Sequence, residues 1–135
     1  MTIRRFTFLN MKLPDSLKTA WDNRNGPIVL ATISENGVPN IIYATCVNLF
    51  GDERIVIADN YFCKTRENLK ATAKGSVLFI TPEGKSFQLK GTLEYHTEGE
   101  IYDAMKSWNP SKHPGHAAAA LVVEEAYSGA EKLLG

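Results

Sequence analysis

The 135-residue chain has few of the features that identify secreted, membrane or metal-binding proteins. It has only two cysteines, Cys46 and Cys63, with neither CxxC spacing nor a supporting histidine cluster, so we expect reduced thiols and no metal site. No window approaches the roughly 18 apolar residues of a membrane span. The Arg4-Arg5 pair is followed by an apolar stretch too short for a signal peptide. We therefore predict a cytoplasmic protein with no membrane partner.

Net charge is also lacking. Fifteen basic residues balance fifteen acidic ones, so no overall field attracts nucleic acid, and a bound anion must be held by a local site. No Ser/His/Asp set or pair of carboxylates stands out as catalytic machinery. Catalytic residues are therefore not assigned, and any chemistry is expected to come from a cofactor.

The composition is that of an ordinary folded domain. Hydrophobic residues make up 44% of the chain and charged residues 22%, which is too apolar for intrinsic disorder. The length is typical of one compact unit. We therefore expect a single domain covering residues 1–135.

Apolar runs separated by turn residues predict about six strands and three short helices. The strands are expected at 27–34, 38–49, 54–58, 76–81, 87–95 and 118–123, and the helices at 13–23, 64–72 and 98–108. The first three strands read as an antiparallel meander. Hairpin connections favour a closed antiparallel barrel over an alternating βαβ sheet.

One stretch, residues 55–69, carries the pattern of a ligand site. A strand leads into a loop that opens a helix, and the first turns of that helix hold Lys64, Thr65 and Asn68. Free N–H groups at a helix start favour an anion, to which Lys64 adds charge and the other two add polar donors. The alternative is an ordinary helix start, in which Thr65 is the N-cap and the basic residues face solvent. The pattern alone leaves both interpretations open.

The order of these elements, together with Cys63-Lys64-Thr65-Arg66-Glu67-Asn68-Leu69, resembles the small FMN-binding proteins of the pyridoxamine 5'-phosphate oxidase-like family. The resemblance extends over residues 26–123. It implies a mainly β fold, a six-stranded antiparallel split β-barrel with Greek-key-like connections and peripheral helices.

The resemblance also implies FMN as the cofactor. Lys64 and Thr65 would bind its phosphate beside Cys63, and Asn68 would support that turn. Backbone groups of two strand ends would bond the flavin ring and ribityl chain; these residues are Ala44, Thr45, Ala58, Asp59 and Asn60. The family's flavin lies at a two-fold interface, which implies a homodimer.

Several residues keep two interpretations. In such dimers Trp108, His113 and His116 can approach the partner's flavin, whereas Trp108 can instead anchor its own helix and the histidines can lie on a surface loop. Asp59 either touches the flavin or caps its loop. His96 is expected to be structural.

The resemblance favours an FMN-dependent oxidoreductase with a small-molecule electron donor or acceptor. A carrier of flavin or haem, or a ligand-free interaction protein, are the alternatives. Genuine pyridoxamine 5'-phosphate oxidases carry a basic, aromatic C-terminal segment, whereas residues 127–135 contain a single lysine and no arginine. That specific oxidase activity is therefore not expected.

Overall fold

In the computed structural model, residues 12–135 form eight strands of one antiparallel sheet and three helices. The predicted absence of a signal peptide concerned the Arg4-Arg5 segment, which lies outside the described residues. The elements, in chain order, are α1 (Asp15–Asp22), β1 (Ile28–Ile33), β2 (Pro39–Ala44), β3 (Val47–Phe50), β4 (Arg54–Asp59), α2 (Lys64–Ala71), β5 (Lys74–Ile80), β6 (Ser86–His96), α3 (Glu100–Trp108), β7 (Ala117–Ser128) and β8 (Glu131–Leu134).

The strand order shows how the sheet closes. It runs β2-β1-β5-β6-β7-β4-β3, with β8 paired to β7. β2 and β3 therefore lie at opposite edges, yet only Thr45 and Cys46 separate them along the chain. So short a link requires the sheet to curl until its edges meet, and the two edge strands are not paired with each other among the described residues. The result is the expected split barrel.

Two details of the strand prediction are wrong. The structure has eight strands rather than six, because the predicted strand 38–49 breaks at Thr45 and the chain continues past 123 into β8. β2 pairs with β1 and β3 pairs with β4, so the predicted three-stranded meander is in fact two hairpins at opposite edges. The connection through α2 then crosses from β4 to β5, outside the β6–β7 pair that separates them. This crossover supplies the Greek-key-like character.

The main core fills the barrel. Branched side chains such as Ile55 and Ile57 alternate inward from β4 and meet Leu121 of β7 and Leu93 of β6. Helix α1 packs onto this core through Leu17 and Trp21, which are almost fully buried. The three predicted helices are confirmed with ends shifted by no more than two residues.

A second, smaller core lies between α3 and the outer face of the sheet. Ile101 and Met105 pack against the outer face of β4 and β7, where the small side chains of Ala118 and Ala120 allow α3 to approach the sheet closely. Ala119, between them, faces the barrel interior. The run of four alanines at 117–120 thus fits a strand covered on both faces. Over residues 12–135, none of the helices is long and apolar enough to cross a bilayer.

Candidate functional site

A cleft of about 290 Å³ opens where β2 and β4 end. Its lining includes four residues predicted to bind the cofactor, namely Ala44, Thr45, Ala58 and Asn60. The same wall holds Cys46, which follows the end of β2. The structure thus brings the two predicted strand ends together, although they lie 14 residues apart in sequence.

The open edge of β2 gives this cleft unpaired backbone groups. β2 pairs with β1 along one side, and no strand of residues 12–135 pairs with its other side. An unpaired strand edge presents alternating N–H and C=O groups. The N–H of Ala58 donates to Cys46 O at 2.9 Å, which fixes β4 against the link between β2 and β3. A planar ligand with a polar edge fits such a surface.

Helix α2 begins just beyond the cleft. Cys63 occupies the N-cap position and makes no side-chain cap hydrogen bond, so the interpretation of Thr65 as the cap is wrong. An uncapped first turn leaves N–H groups for an anion. The Lys64 side chain is 58% exposed, and its ammonium lies 3.4 Å from Glu67 Oε1, a weak surface pair that a stronger anion can replace.

Thr65 and Asn68 lie inside a buried polar cluster. Each is only 2% exposed. Asn40 Nδ2 donates to Thr65 Oγ1 at 3.0 Å, and Asn68 Nδ2 donates to Thr32 Oγ1 at 3.1 Å. These bonds fasten the first turns of α2 to the β1–β2 hairpin. Asn68 therefore supports the turn, while the Thr65 hydroxyl is covered by protein groups.

Asp59 does not direct its carboxylate at the cleft. The side chain is fully buried, and Arg66 donates to it from Nε at 2.8 Å and from Nη2 at 2.9 Å. Tyr95 Oη and the N–H of Phe62 also donate to it, the latter at 3.1 Å. Burial alone would raise the pKa of Asp59, but these donors outweigh it and lower that pKa. The hydrogen bond from Phe62 N–H shows that Asp59 caps its loop, which was one of the two interpretations considered for this residue.

Sequence reasoning missed Arg66 and Tyr95 as members of this cluster. Asp59 ends a strand and Arg66 lies in a helix seven residues later. No sequence pattern predicts a contact between residues placed in this way. Tyr95 is 36 residues away on β6. The bond to Asp59 raises the pKa of the Arg66 guanidinium, so this arginine stays charged and occupied.

Residues 109–116, called here the histidine loop, are held against the cleft by Asn60. The Asn60 amide exchanges hydrogen bonds with the Asn109 amide at 3.0 and 2.9 Å, and Asn60 Oδ1 also accepts from Gly115 N at 2.9 Å. The N–H of His116 donates to Asp59 O at 2.8 Å. Asn60 therefore shapes the cleft with its side chain as well as its backbone.

The two loop histidines have different positions. The ring of His113 lines the cleft, whereas His116 is exposed. Tyr61 Oη lies 3.0 Å from His113 Nδ1, and Tyr61 also lines the cleft. Sequence reasoning did not single out Tyr61, because it follows Asn60 in a loop without periodicity.

The remaining candidates have structural contacts. Trp108 packs partly buried against the core beneath α3, in agreement with its interpretation as a helix anchor. His96 Nε2 lies 2.9 Å from Glu94 Oε1, and that carboxylate also accepts from Arg54 Nε at 3.0 Å. Cys63 is exposed. In the described part of the chain, no three or more His, Cys, Asp or Glu side chains are grouped as a metal site would require.

Comparison with known proteins places these features in context. A sequence model of the family described as pyridoxamine 5'-phosphate oxidase matches residues 14–131. An uncharacterised protein of Methanocaldococcus jannaschii is 28% identical over 120 residues, which cover 84% of this chain and 79% of that protein.

Solved structures share the fold. HupZ of Group A Streptococcus has a TM-score of 0.79 at 25% identity, covering 91% of this chain and 99% of HupZ. A protein from Syntrophomonas wolfei described as FMN-binding has a TM-score of 0.72 at 22% identity, covering 87% and 84% of the two chains. Proteins named as an F420 reductase and a haem-binding protein share the fold at 15% and 18% identity.

Proposed function

Because the chain belongs to the pyridoxamine 5'-phosphate oxidase family, we propose that it is an FMN-binding flavoprotein that acts as a homodimer and exchanges electrons with a small molecule. The observation that carries this proposal is the cleft itself. It joins the open edge of β2 to the end of β4 and lies beside the uncapped start of α2.

The proposed ring position is along the strand ends. Ala44 and Thr45 offer backbone groups at an unpaired edge, and Ala58 and Asn60 line the cleft from the end of β4. A flavin ring is planar and carries donors and acceptors along one edge, so a strand edge can bond it with little side-chain participation.

The proposed phosphate position is the first turn of α2. Free N–H groups and the helix dipole attract the phosphate, and Lys64 turns from Glu67 to pair with it. The buried cluster of Thr65 and Asn68 keeps this turn in place. Arg66 does not contribute a contact, because Asp59 already holds its guanidinium.

The homodimer is supported by an exposed apolar face on β2 and β5. Ile41 and Tyr43 of β2 are 67% and 77% exposed, and Leu78 and Ile80 of β5 are 42% and 44% exposed. Tyr43 pairs with Val29 of β1, which pairs with Leu78, so these side chains lie in adjoining rows of one sheet face. Apolar patches of this kind mark interfaces.

A second copy seated on this face would also complete the cleft, since Tyr43 belongs to both. In the proposed dimer, the exposed His116 approaches the flavin of the other protomer, and Trp108, while it anchors α3, does so with the part of its ring that the core leaves uncovered. Bound FMN supplies the electron-transfer chemistry. The residues of this chain bind and orient it, and restrict the access of water.

The first test is the visible absorption spectrum of the purified protein, with the released chromophore identified by mass. Oxidised-flavin bands and the mass of FMN are the expected result. Reduction of that flavin by NAD(P)H would favour an oxidoreductase over a carrier. A colourless protein that also fails to take up added FMN contradicts the proposal.

A haem-binding function is the second candidate. The observation that favours it is the position of His113, whose imidazole lines the cleft. Imidazole is a common axial ligand of haem iron. A Soret band in the purified protein, or after addition of haemin, would favour this candidate, and a flavin spectrum would favour the first.

A further inference from the structure

The pair formed by Tyr61 and His113 joins two walls of the cleft. Tyr61 lies in the link from β4 to α2, and His113 lies in the histidine loop. Their side chains meet through the 3.0 Å contact between Tyr61 Oη and His113 Nδ1, with the two rings edge to face at 5.5 Å. Both side chains line the cavity that receives the proposed flavin.

The backbone on both sides of this pair is anchored. The His113 N–H donates to Pro110 O at 3.0 Å, and Lys106 Nζ donates to Pro114 O at 3.0 Å. Asn60 ties the same loop to the end of β4. A side chain on such an anchored backbone is positioned before a ligand arrives, as binding sites require.

The hydroxyl of Tyr61 suits the role of orienting an imidazole. A phenol both donates and accepts, so it can bond Nδ1 in either protonation state of the histidine. When Tyr61 donates to Nδ1 of the neutral ring, the ring proton resides on Nε2. Nε2 has no hydrogen-bond partner within residues 12–135, and it is therefore available as a donor to a ligand.

We propose that His113 binds the cofactor directly, donating a hydrogen bond from Nε2 to an acceptor on the edge of the flavin ring, and that Tyr61 is the residue that positions it. This inference rests on the proposed FMN function. The ligand that His113 would recognise is a flat heteroaromatic ring with a hydrogen-bond acceptor at the mouth of the cleft.

The test is a fluorescence titration of FMN into the flavin-free protein with four variants. His113→Ala is expected to weaken binding by roughly 10-fold, the loss of one hydrogen bond, and Tyr61→Phe by about 3-fold. Tyr61→Phe/His113→Ala should bind as His113→Ala does, because Tyr61 acts through His113. Lys112→Ala, an exposed neighbour in the same loop, is the control and should bind as the parent protein does.

A second readout separates positioning from mere stability. In nitrogen-15 spectra of the histidine ring, FMN should shift the Nε2 signal of His113, and Tyr61→Phe should change its tautomer ratio. If His113→Ala does not fold, His113→Phe, which keeps a ring but has no hydrogen-bond donor, replaces it in the titration. Parent-like FMN affinity in folded His113 variants overturns this inference and leaves the proposed function standing, whereas a parent protein that does not bind FMN overturns both.

Discussion

At the scale of single residues, Asp59 stands out as the one buried residue of 12–135 that carries an ionisable side chain. Its carboxylate is fully buried and accepts from Arg66, Tyr95 and the N–H of Phe62. A buried charge is costly unless it is paired and hydrogen-bonded, and this one is both. Asp59 therefore fixes the start of α2 relative to β4, although its carboxylate does not line the cleft.

Asp59→Asn should destabilise the protein by about 2 kcal/mol at pH 7. The amide has one acceptor oxygen instead of two, and its NH2 group would face N–H groups that now donate to the carboxylate. The lowered pKa of Asp59 sets the pH dependence. Its stabilisation is complete above the unfolded pKa of about 3.9 and is lost as pH falls through the lower, folded pKa.

Urea unfolding from pH 7 to pH 3 measures this effect. The gap in free energy of unfolding between the parent and Asp59→Asn should hold down to about pH 4 and narrow below it. Asp22→Asn, at an exposed helix end, is the control and should change stability by less than about 0.5 kcal/mol. A gap independent of pH would contradict the role assigned to the Asp59 charge.

Lys64→Ala should weaken FMN binding by about 1.5–3 kcal/mol, because it removes a charge-assisted contact with the phosphate. Riboflavin, which lacks the phosphate, should bind the parent and the variant alike. Lys70→Ala, in the last turn of the same helix, is the matched control. Unchanged FMN affinity in Lys64→Ala would remove α2 from the site.

The sequence signals at this scale were local. Lys64, Thr65 and Asn68 could be singled out because a strand, a loop and a helix start follow one another within residues 55–69. The partners that hold them could not: Asn40 lies 25 residues from Thr65, and Thr32 lies 36 residues from Asn68. Such pairs depend on the β1–β2 hairpin packing against α2, which no local pattern encodes.

At the scale of elements, the side chain of Asn60 ties the histidine loop to the cleft wall, while Lys106 Nζ ties the same loop to α3. Asn60 is 8% exposed and bonds both Asn109 and Gly115. The loop begins at the end of α3 and leads into β7, so its position also determines where the His113 ring lies. The amide of Asn60 links the cleft wall to this loop.

Asn60→Ala should release the histidine loop and cost about 2–3 kcal/mol, because it leaves buried donors and acceptors unpaired. Hydrogen exchange at the amide of Gly115 should accelerate strongly, while that of Leu121 in β7 should change only with global stability. Asn48→Ala is the control, since its exposed side chain bonds no group of residues 12–135 other than the neighbouring Leu49 N–H. Parent-like protection at Gly115 would contradict the anchoring role.

Strands and helices with a strong hydrophobic pattern were predicted correctly. Those whose limits depend on the topology of the sheet were missed. The apolar run of β4 identified a strand by itself. The break between β2 and β3 was missed because residues 38–49 remain apolar enough for one strand, and only barrel closure requires the chain to change edges at Thr45 and Cys46. β8 was missed because Gly129, with φ of 58°, makes a tight turn after a polar stretch.

At the scale of the whole molecule, the exposed apolar face of β2 and β5 is the proposed dimer interface. Ile41 is 67% exposed on this face, opposite Ala31 of β1. It is not among the residues that line the cleft, whereas its neighbour Ile42 is. A charge at Ile41 therefore tests the interface without entering the proposed flavin site.

Ile41→Glu should convert a dimer of twice the 15.0 kDa chain mass into a monomer, because an unpaired carboxylate in an apolar interface is costly. Sedimentation velocity over a range of concentrations measures the change. Thr97→Glu, which adds the same charge at an exposed position outside this face, should remain dimeric. If the flavin lies between protomers, monomeric Ile41→Glu should also lose FMN. A monomer that keeps parent-like FMN affinity would place the whole flavin site within one chain, and a parent protein that is already monomeric would contradict the dimer itself.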